Sequence, residues 1–437
     1  MITTKYVRDH LDAIRESLAK RRSNYPLEEL LKLDEEWRAQ KTKLQNLQAQ
    51  RNKASLDISE TKKKGGTIDD KVAALADIKK AIEELEGKLP EYEAKIESLL
   101  YRLPNIMMAE VPDGKSDVDN PEVRRVGKIR NKESKGHEEI LSMMGLLDVE
   151  RAAKIAGARF YYLRGDLVLL EHSLARFALD ELVKRGYTPV EPPFMMKNRY
   201  YKGTVPLGTF EEMLYMITSP KEAESKAEYE KMDEDLFLIA TAEHPLTAMH
   251  AEEVFRGSEL PLKYAGISPC FRREAGSHGK DTKGIFRVHQ FNKVEQVIYC
   301  KPEDSPKYHE ELLSNIESLM AKLELPYRVI EICAGDMSAK DARSFDVEAY
   351  LPSQKTYREL MSCSNCTDWQ SARLDIKYDE GNERKFVHTL NATGISLERM
   401  LVAVVENYYN DDGTITVPKA LVPYMGKEII GTAKAKA

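Results

Sequence analysis

The chain has 437 residues, of which 42% are hydrophobic and 32% are charged. This length suits two domains, each able to bury its own core. No apolar run approaches the ~20 residues needed to span a bilayer. The charged N-terminal sequence also lacks the apolar stretch of a secretory signal. We therefore expect a cytoplasmic protein with no membrane association.

Charge is unevenly distributed along the chain. The net charge of −6 argues against a protein that coats nucleic acid. Residues 1–64 nevertheless hold 15 Lys and Arg against 10 Asp and Glu. A basic segment on an acidic body is typical of one localised phosphate-binding surface, although a solvated helix surface explains the charge equally well.

The five cysteines are scattered and odd in number, which does not indicate a disulfide framework. Cys363 and Cys366 form a C-x-x-C pair. A second pair of ligands at suitable spacing is missing, so we expect no structural zinc and assign the pair to packing.

The first hundred residues carry the clearest periodicity, with seam positions separated by alternating steps of three and four. The first series is Leu30, Leu33, Trp37, Gln40, Leu44, Leu47, Arg51, Ala54 and Ile58, and the second is Leu75, Ile78, Ile82, Leu85, Leu89, Tyr92, Ile96 and Leu99. This 3.5-residue period predicts two coiled-coil helices, and Gly65-Gly66 between them predicts an antiparallel hairpin over about residues 26–101.

The first helix of this hairpin should run from about Pro26 to Lys64 and reach roughly 55–60 Å. Gln40 and Arg51 at the seam cost stability but fix register, and Pro90 should kink the second helix or interrupt its hydrogen bonding. A coiled coil alone is most often a dimerisation or spacing device. We predict an N-terminal domain over residues 1–103, a linker over 104–121, a second domain over 122–426 and a flexible tail over 427–437.

The second domain has strand-like runs between amphipathic helices. Two long strands, Leu262–Gly276 and Phe286–Cys300, are separated by a polar loop, and later runs repeat this pairing. Hairpins of this kind, without regular βαβ alternation, indicate an α+β fold on a mostly antiparallel sheet flanked by helices.

Polar side chains alternate along these two strands. Arg272 and Glu274 share one face, and the next strand carries Arg287, His289, Phe291, Lys293 and Glu295 on one face. Arginines there are suited to bind phosphate or carboxylate, the glutamates an ammonium or hydroxyl, and Phe291 a flat base. A solvent-exposed, salt-bridged outer face is the alternative interpretation.

Five segments in order, at residues 186–195, 241–243, 271–295, 357–370 and 388–407, resemble motifs of one known family, the seryl-tRNA synthetases of class II. Phe271–Glu295 resembles motif 2 with its tRNA-facing loop, Thr241–Glu243 the serine-binding loop, and Tyr357–Gln370 the metal and ATP segment. His388–Asn407 resembles motif 3, and GYTPVEPPFM resembles motif 1, the dimer-forming strand. The sequence of these segments is more similar to archaeal members of the family than to bacterial ones. The N-terminal hairpin then corresponds to the family's tRNA-binding arm, so the resemblance spans nearly the whole chain.

The resemblance implies a serine–tRNA ligase that forms seryl-adenylate from L-serine and ATP and transfers the seryl group to tRNA(Ser), and by extension to tRNA(Sec). The implied serine-binding residues are Thr241, Ala242, Glu243, Arg272, Glu295, Asn391 and Thr393. The implied ATP-binding residues are Arg272, Arg273, Glu274, Arg287, Val288, Phe291, Glu359, Leu360, Met361, Ser362 and Arg399. Among these, Arg272, Glu359 and Arg399 would be catalytic.

The resemblance also implies the remaining ligands and partners. Glu359 and Ser362 would hold Mg²⁺ with ATP, Lys62, Lys63 and Lys64 would lie on the tRNA arm, and motif 1 would form a homodimer. The chain departs from the family pattern at Ala372, Tyr350 and Tyr409. Two other functions stay open: a paralogue that loads a carrier protein, which would lack the arm, and a tRNA-binding scaffold with an inactive catalytic fold, against which the intact site positions argue.

Overall fold

A computed structural model describes residues 3–129, 134–206, 210–218, 233–274 and 284–431. The chain divides into two compact units. The smaller comprises Ile2–Arg15 and Ser23–Leu103, and the larger comprises Met1, Glu16–Arg22 and Pro104–Ala437. Within the described part of the chain, no helix is both long and apolar enough to cross a membrane.

The smaller unit is built on the predicted hairpin. Helix α1 is Thr4–Asp9 and α2, whose last residues belong to the larger unit, is Leu11–Lys20; the two arms of the hairpin are α3, Leu27–Lys63, and α4, Asp69–Arg102. With 37 residues, α3 is about 55 Å long. Leu44, Ile82, Leu85 and Leu89 form a buried cluster between the arms. The predicted seam therefore packs as expected, and α4 continues as a helix through Pro90.

The larger unit contains the other nine described α-helices and 17 strands. Its helices are α5 His137–Met143, α6 Val149–Ala156, α7 Asp166–Val183, α8 Asn198–Thr204, α9 Glu243–Ala248, α10 Ser305–Lys322, α11 Trp369–Leu374, α12 Leu397–Tyr408 and α13 Val422–Met425. Its strands are β1 Glu122–Val126, β2 Leu147–Asp148, β3 Tyr162–Leu163, β4 Thr188–Val190, β5 Met195–Lys197, β6 Leu236–Leu238, β7 Val254–Arg256, β8 Leu262–Phe271, β9 Gln290–Cys300, β10 Tyr327–Glu331, β11 Arg343–Leu351, β12 Thr356–Asn365, β13 Lys377–Glu380, β14 Glu383–Phe386, β15 His388–Ser396, β16 Ile415–Thr416 and β17 Ile429–Ile430.

Eight of the strands form one sheet in the order β1-β10-β11-β12-β15-β9-β8-β4. All neighbours are antiparallel except β4 and β8, which are parallel. Three helices, α7, α10 and α12, cover one face of this sheet through a continuous apolar core. The predicted α+β fold on a mostly antiparallel sheet, with a helical hairpin at the N-terminus, is confirmed.

Strand β9 shows how alternation divides the two faces of the sheet. Val294, Ile298 and Cys300 are buried in the core under the helices. Lys293 and Glu295 point to the opposite face, because side chains two apart on a strand share a face. That opposite face is where most of the predicted site residues lie.

The predicted linker and part of the predicted tail are packed rather than loose. In the segment 104–121, the Asn105 N–H donates to the Ala339 carbonyl at 2.7 Å, and Met107 and Val111 are buried in a cluster with sheet residues. In the tail, β17 pairs with β16 and Ile430 is buried, because its apolar side chain fills the core. Residues 432–437 of the tail lie outside the described residues.

Candidate active site

A cavity of about 220 Å³ opens on the sheet face away from the helices. It is lined by Met213, Arg272, Glu274, Ile285, Phe286, Arg287, Val288, Phe291, Lys293, Glu359, Leu360, Ser362, Thr393, Ser396, Glu398 and Arg399. Ten of the predicted site residues are among these. The structure thus brings together residues from motif 2, from the predicted metal segment and from motif 3, which are up to 127 positions apart in sequence.

A bulge in β12 explains why Glu359 and Ser362 share this cavity. Residues three apart on a regular strand point to opposite faces. In the pairing with β11, Val347 lies opposite Met361 and Glu348 opposite Glu359, so Leu360 is an extra residue without a partner. The bulge shifts the alternation by one position and turns both oxygen-bearing side chains toward the cavity.

Guanidinium groups surround the cavity. Arg399 pairs with Glu359 at 3.2 Å and Arg287 with Glu274 at 3.3 Å. The Arg272 guanidinium lies 5.1 Å from the centre of the Phe291 ring. Among the residues that the structure describes, the buried Nε of Arg287 has no hydrogen-bond partner. Several cations with an open donor and an aromatic ring suit a ligand that carries phosphates and a flat base.

The strands that carry these residues are shorter than predicted. β8 ends at Phe271 and β9 begins at Gln290, so Arg272, Glu274, Arg287 and His289 lie beyond the regular strands. Glu274 has a φ of +48°, a left-handed conformation that breaks strand alternation. Backbone pairing persists at one point, where the Arg272 N–H donates to the His289 carbonyl at 2.9 Å. The motif 2 loop at residues 275–283 lies outside the described residues.

The predicted serine-binding residues lie mostly in a second, buried polar group. Thr241, Glu243, Glu295, Asn391 and Thr393 are each at most 6% exposed. The Thr241 hydroxyl donates to Glu295 Oε2 at 3.5 Å. A bulge at Gly394 in β15 keeps Thr393 directly opposite Glu295.

A glycine lets Thr241 and helix α9, which begins at Glu243, pack against the sheet. Gly266 on β8 lies opposite Glu295 on β9. A Cβ at position 266 would meet Leu246 Cδ1 at 2.4 Å and Ala242 Cβ at 3.3 Å. Ala242 is fully buried at this contact, where its methyl group packs against the glycine. This side chain carries no polar atom that could bind a ligand.

Electrostatics in this buried group follow from charge pairing. Lys293 forms an ion pair with Glu295 and also lines the cavity, so it joins the two groups. Burial and the nearby Glu243 raise the pKa of Glu295, although Lys293 opposes the effect. Burial also opposes ionisation of Glu243, but Lys340, His244 and Lys293 together outweigh burial, and the pKa of Glu243 is lowered.

Some predicted site residues lie elsewhere. Met361 is buried in the core under the helices because the β12 bulge places it on that face. Arg273 is exposed and does not line the cavity, although its backbone N–H donates to the Met213 carbonyl at 2.9 Å. Lys62, Lys63 and Lys64 are exposed at the end of α3 in the smaller unit.

Three charged residues of the site had no predicted role. Lys293 was recognised only as part of a polar strand face. Lys340 lies on a loop whose sequence contains no recognisable motif. Glu398 lies in the first turn of a helix whose sequence is mostly apolar. The burial of Lys293 and Glu398 is a signal that only the fold provides, since charged side chains are rarely buried without a partner.

The cysteines and the three departures from the family pattern lie outside the cavity lining. All five cysteines are buried and free, and the described residues contain no group of three or more His, Cys, Asp and Glu arranged to hold a metal. Ala372 is buried on α11. The Tyr350 ring lies 5.3 Å from that of Tyr357, and Tyr409 forms a bridge with Ile415.

Comparisons with known protein families match both parts of the chain. A model of the seryl-tRNA synthetase N-terminal domain matches residues 1–107. A model of the tRNA synthetase class II core domain (G, H, P, S and T) matches residues 226–408.

Similar whole proteins cover nearly the full chain. A serine–tRNA ligase from Thermococcus sibiricus is 44% identical, covering 99% of this chain and 98% of that protein. The crystal structure of seryl-tRNA synthetase from Pyrococcus horikoshii complexed with ATP has a TM-score of 0.90 and 41% identity, covering 99% of this chain and all of that one. A cytoplasmic serine–tRNA ligase from Naegleria fowleri with AMP has a TM-score of 0.83 and 36% identity, covering 96% and 95% of the two chains.

Proposed function

Because this chain belongs to the seryl-tRNA synthetase family of class II, ATP-dependent ligases, we propose that its sheet cavity activates L-serine and that its hairpin arm holds the tRNA. The observation that carries the proposal is the junction of two groups on one sheet face. An arginine-rich cavity suited to a nucleotide adjoins a buried polar group suited to a small zwitterion.

In this proposal the buried group recognises serine. Thr241 and Glu243 bind its ammonium, and Glu295 and Thr393, with Asn391 beside them, bind its hydroxyl. Thr393 and Glu295 are cross-strand neighbours, which supports a shared contact with one small hydroxyl. Alanine is then rejected because it leaves these buried polar groups unpaired, and threonine because its methyl group has no room.

The cavity residues take ATP and stabilise charge. Arg272 holds the serine carboxylate and the α-phosphate, while Glu274, Val288 and Phe291 frame the adenine. Arg287 and Arg399 bind the outer phosphates. A serine carboxylate oxygen attacks the α-phosphorus, the bond to pyrophosphate breaks, and the 3′-terminal ribose hydroxyl of tRNA then takes the seryl group as AMP leaves. No strong base is needed, so catalysis consists of positioning and charge stabilisation.

Glu359 and Ser362 are the residues we propose to hold Mg²⁺ with ATP. Both present oxygen atoms to the same cavity, and oxygen is the ligand atom that Mg²⁺ prefers. The ion would neutralise phosphate charge when bound. Arg399 already pairs with Glu359, so this carboxylate is held at the phosphate end of the cavity.

The acceptor we propose is tRNA(Ser), with tRNA(Sec) as a second acceptor, and the place of reaction is the cytoplasm. Lys62, Lys63 and Lys64 give the arm an exposed basic end suited to the phosphate backbone. We further propose a homodimer through motif 1. In its support, β4 lies at the edge of the main sheet, and Met195, five residues after it, is an apolar side chain that is 47% exposed.

The test is ATP–pyrophosphate exchange with purified, folded protein. Exchange should depend on Mg²⁺ and L-serine, and L-alanine, L-threonine and glycine should give little or none. A chain that stays folded and gives no exchange with L-serine would contradict the proposed activity and favour an inactive tRNA-binding scaffold. The same preparation charging tRNA(Ser) tests the second half-reaction.

A further inference from the structure

Lys340 lies on the loop between β10 and β11 and reaches into the buried polar group. Its side chain is 12% exposed. The ammonium Nζ donates to Asp341 Oδ1 at 2.8 Å, to Asn391 Oδ1 at 3.2 Å and to Glu243 Oε1 at 3.2 Å. These three acceptors belong to a loop, to strand β15 and to helix α9, so one cation joins three separate segments.

The groups around Lys340 stabilise the charged form of its side chain. Burial alone would lower the pKa of Lys340, but Asp341, Cys366 and Glu243 together raise it well above its usual range. The lysine is therefore charged at neutral pH. Without it, the Glu243 and Asp341 carboxylates would lie buried, at 6% and 4% exposure, with their shared cation removed.

A count of the buried charges indicates what the pocket takes. The carboxylates Glu243, Glu295 and Asp341 face the ammonium groups of Lys293 and Lys340. The three carboxylates outnumber the two ammonium groups, so ionisation of Glu295, whose pKa is raised by burial, leaves one negative charge uncompensated. A ligand ammonium would balance it, and Glu243 would then accept from two cations, one fixed and one from the ligand.

The loop that carries Lys340 is itself fixed from outside the pocket. Arg21 donates to the carbonyls of Met337, Ser338 and Asp341 at 3.3, 3.0 and 2.5 Å. Asn105 Nδ2 donates to the Lys340 carbonyl at 2.8 Å. The backbone on both sides of Lys340 is therefore held, and its side chain has a defined starting point.

We propose that Lys340 is a positioning residue for the amino-acid pocket: its ammonium fixes the Glu243 carboxylate and the Asn391 amide where they meet the substrate serine. This inference rests on the proposed function, since it takes Glu243 and Asn391 as serine-binding groups. Lys340 acts on serine only through these two side chains and does not bind ATP.

The experiment is steady-state ATP–pyrophosphate exchange with K340M, which keeps the length of the side chain and removes its charge. KM for L-serine should rise about 10- to 100-fold, the range expected for loss of a charge-assisted hydrogen bond. KM for ATP should stay within about twofold, because Lys340 does not line the ATP cavity. K340R keeps the charge in a different shape and should raise KM for L-serine less than K340M does.

K427M is the matched control, because Lys427 pairs with Asp166 at 2.7 Å on the surface and neither residue lines the ATP cavity, so both KM values should stay unchanged. An unchanged KM for L-serine in K340M, or an equal rise in both KM values, would overturn the inference. If K340M does not fold, K340Q, which is also neutral but polar, takes its place, and an unchanged KM for L-serine in K340Q overturns the inference instead. Absence of exchange in the unmodified chain is a failure of the proposed function, which is a separate result.

Discussion

Glu398 is the residue whose environment is least expected from its position at the start of α12. It is 1% exposed, and the Asn292 N–H donates to its two oxygens at 3.0 and 2.8 Å. The Tyr161 hydroxyl also bonds to it. Burial and the nearby Glu171 raise the pKa of Glu398 to about 8. The folded chain therefore holds this carboxyl neutral over most of the physiological range.

Replacement of Glu398 by Gln should remove a destabilisation that grows with pH. The unfolded side chain ionises near pH 4.5 and the folded one near 8. Between these values the unfolded state binds fewer protons, so the free energy of unfolding of the unmodified chain falls as pH rises. From pH 5.5 to 8, E398Q should lose less stability than the unmodified chain by on the order of 3 kcal/mol, measured by denaturant unfolding.

The comparison of two chains at each pH cancels the other titrating groups. E310Q, a change at an exposed carboxylate on α10, should follow the unmodified chain at both pH values. A parallel loss of stability in E398Q and the unmodified chain would show that Glu398 ionises normally in the folded state.

Most of the cavity residues could be identified from the sequence. The face of the sheet to which each side chain points could not always be predicted. Arg272, Phe291 and Arg399 belong to motifs, and local pattern sufficed to find them. The sequence could not show that the Met361 side chain points into the core, because the bulge at Leu360, which reverses strand alternation, is a property of the pairing with β11. Lys340 depends on contacts with residues 97 and 51 positions away, Glu243 and Asn391, which no local pattern encodes.

At the scale of elements, the hairpin was the most predictable part of the fold. Its 3.5-residue period requires only local information, and the expected helix from Pro26 to Lys64 is observed as Leu27–Lys63. The hydrophobic period of the sequence could not predict that a charged side chain is buried beside the coiled-coil seam. Asp34 is 2% exposed on α3, bonded to Arg8 of α1 and, at 3.0 Å, to Arg38. This carboxylate attaches the short first helix to the hairpin.

Replacement of Asp34 by Asn should loosen α1 and the start of α3. Burial opposes ionisation of Asp34, but hydrogen bonds from Thr4, Arg8 and Arg38 together lower its pKa, so the carboxylate is charged in the folded unit. Loss of its charge-assisted hydrogen bonds should cost about 2 kcal/mol locally. Hydrogen–deuterium exchange of peptides from residues 3–20 and 27–40 should accelerate on the order of 30-fold, while peptides from the main sheet stay protected.

The control for this element is D57N. Asp57 pairs with Lys71 at 2.8 Å, but both side chains are about half exposed. Exposed pairs contribute roughly 0–1 kcal/mol, so exchange in the same peptides should change little. If D34N and D57N have equal effects, the buried position of Asp34 does not matter.

At the scale of the whole molecule, charge and function divide between the two units. The chain carries −6 overall, and the smaller unit holds 18 Lys and Arg against 18 Asp and Glu, so the net negative charge lies in the larger unit. Only the smaller unit presents the three consecutive lysines at an exposed helix end. The residues proposed for serine and ATP all belong to the larger unit. Adenylate formation and tRNA binding should therefore be separable.

Shortening of the hairpin should abolish tRNA charging and preserve ATP–pyrophosphate exchange. Trp37 Nε1 donates to Glu93 at 3.1 Å and Gln48 Nε2 to Glu86 at 3.3 Å, which fixes the register of the two arms. Deletion of residues 51–80 removes opposite lengths of both arms, and a short Gly-rich turn can join the remaining ends. Aminoacylation of tRNA(Ser) should fall at least about 100-fold, while ATP–pyrophosphate exchange should stay within about twofold of the unmodified chain.

Replacement of Lys62, Lys63 and Lys64 by Gln should cause a smaller loss of aminoacylation, and this loss should shrink as the salt concentration rises, because only phosphate contacts are removed. Equal loss of exchange and charging in the deletion would mean that the arm supports the fold rather than the RNA.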